Sequence, residues 1–386
     1  MRHRVKKVCN VLSFFVKFYG LGVPNALLNA FWSKISRTKQ QDSSLTSRLN
    51  LEVLKYANTG AIESFIRPLM ARCVCWWYIK QTWGEGAAEK FEFDYVVKED
   101  GLSRLGCLEK AKQFVGKPRT SKSRFLTRPS YHHHDDPIIF YLHGGAFGIG
   151  LSRFDYAFMS QVLDPLSEVF PELKALVMDY SCVTVDGENA FPIALMDTIT
   201  IYREICKAYT NPRIWIISCN AGANLNLGLL QYLAEINDPG LVWPEKSFCI
   251  SPWLNLSMFN HEEVDLVERT KDDNVMYNFM DRMSSAYLHG QEESSNKVNP
   301  YINIEANLNP ELWTLILEKS KLHVAVIEGD ILQSEIMNFI EQLHIPSTIV
   351  NAAYKPNSIL KYMWPYEGDW ALEDPIGRAL VPFFLR

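Results

Sequence analysis

The chain has 386 residues, 47% hydrophobic and 12% aromatic, enough for one large α/β domain with additions or for two domains, and too apolar for global disorder. A formal net charge of −5 gives no footing for nucleic acid as a partner. The eight cysteines (9, 73, 75, 107, 182, 206, 219 and 249) follow no disulfide-framework spacing, and the tight pair Cys73 and Cys75 has no second pair to complete a zinc site.

Met1 to Lys7 is basic, with Arg2, Arg4, Lys6 and Lys7, and an apolar stretch from Val8 to Trp32 follows, interrupted by Lys17, Gly20, Gly22 and Pro24. Residues 1–37 are therefore a membrane-anchor candidate; the competing reading is an amphipathic helix packed on the domain. Basic residues also follow the stretch (Lys34, Arg37, Lys39), so the positive-inside rule sets no orientation. Residues 38–90 read as a polar linker and a helical cap, and 91–386 as the main domain.

Within that domain Glu92 to Val97 alternates as an early strand. Residues 116–136 read as a basic, polar loop ending in His132, His133 and His134; adjacent histidines lack the spacing of metal ligands, and neither metal nor cofactor is expected. From residue 137 strands and helices alternate at the period of a parallel sheet. Strands are predicted at Ile138–Leu142, Ala175–Tyr180, Arg213–Ile217, Phe248–Ser251, His323–Ile327 and Thr348–Ala352. Helices are predicted at Ala194–Ala208, Asn224–Ile236, 311–319 and Glu335–Leu343. Residues 258–310, charged and poor in strand signals, read as an insertion covering the top of the sheet. The fold class is α/β, a mostly parallel central sheet flanked by helices.

Two motifs carry chemistry. His143-Gly144-Gly145-Ala146-Phe147 directly follows a buried strand, where glycines let backbone N–H groups face a developing oxyanion. Residues 214–225 run from a β-branched strand through a small-residue turn into a helix, the context of a nucleophile elbow, but the tip residue is Asn220. An amide has no proton to release near neutral pH and does not start an acyl-enzyme route. Its neighbours Ser218 and Cys219 belong to the strand end, and Cys219 as a displaced nucleophile would need a base within reach.

With Tyr141 to Phe147, Met178-Asp179-Tyr180-Ser181, Phe191-Pro192, Asn220 to Leu225 and Ile250-Ser251-Pro252-Trp253 in order, the chain resembles the hormone-sensitive-lipase-like branch of the α/β-hydrolases, and within it the fungal steryl acetyl hydrolase group. The resemblance spans about 137–345 and implies an α/β-hydrolase fold. It implies oxyanion donors at Gly144, Gly145, Ala146 and Ala221, the nucleophile position at Asn220 and the acid at Asp330 in Glu328-Gly329-Asp330. The family elbow is G-D-S-A-G-G-N-L, against Ser218-Cys219-Asn220-Ala221-Gly222-Ala223-Asn224-Leu225 in this chain. The family histidine belongs on the loop after the last strand; residues 354–361 hold none, and His344 precedes that strand. The histidine position is unfilled.

Three readings follow. The leading one is a degenerate pseudo-esterase retaining a cleft for an acyl ester or sterol-like ligand. The others are an active hydrolase with relocated chemistry and a structural or interaction protein. The resemblance and the apolar amino-terminal stretch place it at a membrane, the endoplasmic reticulum in particular; the alternative is cytoplasmic. Asn255-Leu256-Ser257 is a glycosylation sequon if the domain faces a secretory lumen.

Overall fold

The computed structural model describes residue 23 and residues 61–66, 89–106, 109–126, 137–184, 186–257, 274–350 and 374–386. The candidate anchor (1–37), most of the linker and cap, and His132 to His134 lie outside these residues, as do 351–373 and 258–273.

Eight strands form one sheet, in the order β1-β2-β4-β3-β5-β6-β7-β8. The first, β1 (Glu89–Val96), pairs antiparallel with β2 (Pro118–Leu126), which pairs antiparallel with β4 (Lys174–Asp179). From β4 onward all pairs are parallel: β3 (Ile138–Leu142), β5 (Ile214–Cys219), β6 (Lys246–Ile250), β7 (Lys321–Ile327) and β8 (Ser347–Val350). The central strands are continuous apolar runs, as burial on both faces requires.

Helices cover both faces: α1 (Glu99–Arg104), α2 (Arg153–Ser167), α3 (Ile193–Ala208), α4 (Ala221–Ile236), α5 (Asn274–Tyr287), α6 (Glu293–Val298), α7 (Pro310–Lys319), α8 (Gln333–Leu343) and α9 (Pro375–Leu385). The apolar side chains divide into two clusters, one on each face of the sheet: Phe140, Leu142, Ile216 and Cys249 point to the larger, Ile139, Tyr141, Trp215 and Ile217 to the smaller. Helix α4 is buried from Ala221 through Ala234, the pattern of a helix running through a core rather than along a surface.

Three segments depart from the sequence expectations. Residues 118–126, expected in a loop, form β2; two of its inward positions are Ser121 and Ser123, which mask the alternation that Phe125 completes. Each serine satisfies its hydroxyl on a carbonyl: Ser121 Oγ donates to Asp197 O at 2.8 Å and Ser123 Oγ to Phe91 O at 2.5 Å. Helix α2 was not expected, although Ser152 and Asp155 form its capping box. Helix α9 was also missed; Asp374 caps it through Ile376 N and Gly377 N, with Pro375 in its first turn.

Of residues 258–310, those from 274 onward form α5, α6 and a short 3₁₀ turn at Glu305–Asn307. The end of α5 lies against the glycine turn after β3. The Tyr287 ring stacks on Phe147 at 3.8 Å between centroids, and a Cβ added to Gly148 would meet Met283 Sδ at 2.2 Å. Ser284 Oγ donates to Leu256 O.

Candidate functional site

Parallel strands deliver their carboxyl ends to one edge of the sheet, where open α/β sheets bind ligands. Here β3, β5, β6 and β7 end there in His143, Asn220, Ser251 and the turn holding Asp330.

Asn220 is the single residue between β5 and α4, with φ 47° and ψ −110°. This strained, positive-φ turn is the backbone of a nucleophile elbow. It is held on both sides: Asn220 N donates to Ile250 O at 2.9 Å, and Asn220 O accepts from Trp253 N at 3.2 Å and from Ala223 and Asn224 N at 3.0 and 3.1 Å. Such a turn demands close approach behind it. A Cβ on Gly222 would stand 2.2 Å from Leu142 O and 2.4 Å from His143 O, so only glycine lets α4 begin against β3. The elbow backbone is intact although its side chain is an amide. Asn220 is 4% exposed and its Nδ2 is buried without a hydrogen-bond partner.

Facing it is the glycine turn. A Cβ on Gly144 would lie 3.5 Å from Asn220 Cβ, which puts the two loops in contact. Gly145, Ala146 and Phe147 all have positive φ (104°, 51° and 58°), and Gly148 N and Ile149 N both donate to Gly145 O at 2.9 Å, closing the turn. Among the described residues, the backbone N–H groups of Gly144, Gly145, Ala146 and Ala221 donate to no protein acceptor. Tyr180 braces the turn from beneath: its ring stacks on His143 at 4.1 Å, and its hydroxyl donates to His143 O at 2.9 Å and Gly144 O at 3.2 Å. His143 Nε2 is buried and unpartnered.

Asp330 follows β7. Its Oδ1 accepts from Leu332 N at 3.2 Å; its Oδ2 is buried with no partner, and the residue is 9% exposed. Burial raises its pKa above the ordinary carboxylate range, opposed by the Ser251 hydroxyl and the Ile331 and Leu332 N–H groups. Ser251, 1% exposed and with φ 41°, has its Oγ outside hydrogen-bond geometry to any partner. Sequence reasoning passed over Ser251 as a site residue. Only the register that sets β6 between β5 and β7 exposes its position.

The remaining candidates lie elsewhere. His344 is exposed at the carboxyl end of α8, before β8 begins, which puts it at the opposite edge of the sheet. His323 lies inside β7 against Phe248, its Nε2 3.0 Å from Thr348 Oγ1, with burial pushing its pKa down. The loop from 354 to 361 lies outside the described residues. Ser218 is fully buried and bonded to Phe248 O and Asn226 Nδ2. Cys219 sits on the face of β5 toward Tyr141 and Asp155; burial, then the Asp155 charge, push its thiol far above the range in which thiolate forms. Asn255 is half-buried in an isolated bridge to Asn303, and its Oδ1 accepts from Ser257 N and Oγ at 3.0 and 2.9 Å. Among the described residues no three His, Cys, Asp or Glu side chains cluster as metal ligands.

The fold has known counterparts. A carboxyl esterase 2 of Tuber melanosporum superposes with a TM-score of 0.54 at 13% identity, covering 78% of this chain and 88% of that one. An esterase of Pyrobaculum calidifontis does so at 0.57 and 15%, covering 84% and 94%. At these identities the likeness shows the α/β-hydrolase fold. By sequence, steryl acetyl hydrolase 1 of Saccharomyces cerevisiae is 23% identical over 199 residues, 51% of this chain and 46% of that protein. The putative steryl acetyl hydrolase mug81 of Schizosaccharomyces pombe is 27% identical over 222 residues, 54% of each. The chain thus spans about half the length of these curated relatives. The model of the steryl acetyl hydrolase family matches residues 12–360, and the chain belongs to that family.

Proposed function

We propose that this chain is a non-hydrolysing member of its family, a pseudo-esterase whose strand-end site binds an acyl ester or sterol-like ligand without cleaving it. One observation carries the reading: the elbow keeps its strained backbone and its uncommitted N–H donors while the tip side chain is an amide with a buried, unpartnered Nδ2. Donors that the protein's own acceptors leave free serve a carbonyl oxygen whether or not it is attacked. Attack needs a nucleophile and a base. Asn220 is no nucleophile, and the sequence from 351 to 386 contains no histidine.

Relocated catalysis through Cys219 is the second reading. Against it stands a thiol pushed up by burial beside Tyr141 and Asp155, with no histidine among the groups that act on it. A purely structural or interaction role would leave the donors at Gly144 and Ala221 without purpose. Membrane association, at the endoplasmic reticulum, belongs to this proposal and is supported by the apolar amino-terminal stretch and by relatives named for steryl esters. No helix of the described residues is long and apolar enough to cross a membrane.

Turnover of short acyl esters and of a steryl acetate by the purified chain tests this, beside Asn220→Ser and Cys219→Ala. The expected result is no turnover above background in the parent, and none in Asn220→Ser, which gains a hydroxyl but no base. Parent turnover that Cys219→Ala abolishes would show that the nucleophile has moved and sink the proposal.

A further inference from the structure

Asn220, Ser251 and Asp330 end three neighbouring parallel strands, β5, β6 and β7. Asn220 N donates to Ile250 O and Ser251 N to Ala325 O, both at 2.9 Å, so Ser251 stands one strand from each flank. Adjacent strands lie about 4.8 Å apart, which sets Ser251 beside Asn220, and the turn after β7 brings the Asp330 carboxyl to the Ser251 hydroxyl. The three residues are 4%, 1% and 9% exposed, and each has one polar atom outside hydrogen-bond geometry to any partner, Nδ2, Oγ and Oδ2, the last two facing each other. Other buried polar atoms of the described residues also lack a partner, but here three stand together at the carboxyl edge of the sheet, a place where something else can supply the bonds.

The chemistry of the three is lopsided. Asn220 Nδ2 and the N–H groups of Gly144 and Ala221 can only donate, an ionised Asp330 Oδ2 can only accept, and Ser251 Oγ does either. An ester offers acceptors alone: it would answer the donors, compete for the Ser251 hydroxyl and bring nothing to the buried carboxylate. A hydroxyl answers both sides, because its O–H donates and its oxygen accepts.

We propose that this strand-end site recognises an alcohol, the free sterol that deacetylation of a steryl ester would release, in preference to the acetate. The sterol hydroxyl donates to Asp330 Oδ2 and accepts from Ser251 Oγ–H or Asn220 Nδ2. This rests on the sterol-like ligand class proposed above and deepens it. The protein then acts as a holder of the product form, not as a trap for the ester.

The experiment measures displacement of a radiolabelled sterol from the full chain in detergent micelles. The competitors are the unlabelled sterol, its acetate and the corresponding ketone, which can only accept. A hydrogen bond to a charged acceptor predicts that the alcohol binds at least about tenfold tighter than the acetate or the ketone. Asp330→Asn turns the acceptor into a donor and keeps the oxygen that holds Leu332 N; the alcohol-over-ketone preference is expected to vanish or invert. Ser251→Ala, which keeps the backbone bond to Ala325 O and removes only the hydroxyl facing Asp330, is expected to weaken the alcohol several-fold and the acetate less. An acetate that binds as tightly as the alcohol, or a ratio unmoved by both variants, would overturn this inference alone. Failure of all three ligands to bind would overturn both it and the ligand-binding reading beneath it.

Discussion

Asp155 and Asp330 are both buried aspartates beside parallel strands, and they live in opposite circumstances. Asp155 spends both oxygens: Tyr141 Oη donates to Oδ1 at 2.9 Å, and Ser152 N and Oγ both donate to Oδ2 at 2.7 Å. It caps α2 and ties that helix to β3. Asp330 Oδ1 accepts from Leu332 N, while its Oδ2 makes no well-formed hydrogen bond, with the Ser251 hydroxyl and the Ile331 N–H nearby. A structural carboxylate is recognised by complete satisfaction, a functional or formerly functional one by what is left over. The fold therefore retains at the end of β7 a group that its own hydrogen bonds do not explain.

The largest effect that would sharpen this contrast is expected at Asp155. Asp155→Ala strands the Tyr141 hydroxyl and two Ser152 donors in the interior and removes a cap, a loss on the order of 3 kcal/mol or more. Urea unfolding with an unchanged m-value would read it directly. A shift in midpoint below about 1 kcal/mol would break the comparison.

Asp197 lies between the two extremes. It is 1% exposed and accepts from Tyr95 Oη at 2.8 Å and Ser181 N at 2.9 Å, docking β1 and the Tyr180-Ser181 turn on α3. Even so, burial raises its pKa to about 6, against the donors from Ser181 and Tyr95. A carboxyl whose pKa is higher folded than unfolded contributes stability that is full below about 4 and is lost as pH rises through about 6. The loss is on the order of 2–3 kcal/mol across that window. Asp197→Asn is expected to flatten this part of the stability profile, gaining on the parent as pH rises from 4 to 7. Thermal unfolding of both proteins over that range checks it, and parallel profiles would refute the assignment.

Much of this architecture can be read from residues alone, for reasons that also explain the gaps. Ile138–Leu142, the elbow and the strands of the parallel half are apolar runs with turn residues at their ends, and their signal is local. Strand β2 escapes because two of its inward residues, Ser121 and Ser123, are polar and are satisfied by carbonyls of Asp197 and Phe91, contacts invisible without the fold. Helices α2 and α9 carried legible caps, Ser152 with Asp155 and Asp374 with Pro375, that the reading of periodicity passed over. At the site, the glycine turn and the asparagine at the elbow tip announce themselves in sequence. The orphaned row of Asn220, Ser251 and Asp330 does not, since its three members are 31 and 79 residues apart in sequence (220 to 251, 251 to 330) and only the β5-β6-β7 register joins them.

The smallest effect is the one most specific to the comparison. Asp330→Asn keeps an oxygen for Leu332 N and exchanges the unpartnered buried Oδ2 for an NH₂ that Ser251 Oγ can accept from. Because burial holds the Asp330 pKa above its unfolded value, the parent loses stability as pH rises through the folded pKa, and the variant does not. The variant is thus expected to match the parent in acid and exceed it by about 1 kcal/mol at pH 8, a difference read from urea midpoints at the two pH values. The same isosteric change at Asp155 aims an NH₂ at the Ser152 or Tyr141 donors and must destabilise. Opposite signs from one chemical substitution at two buried aspartates would separate the carboxylate that holds the fold from the one held in reserve for a ligand.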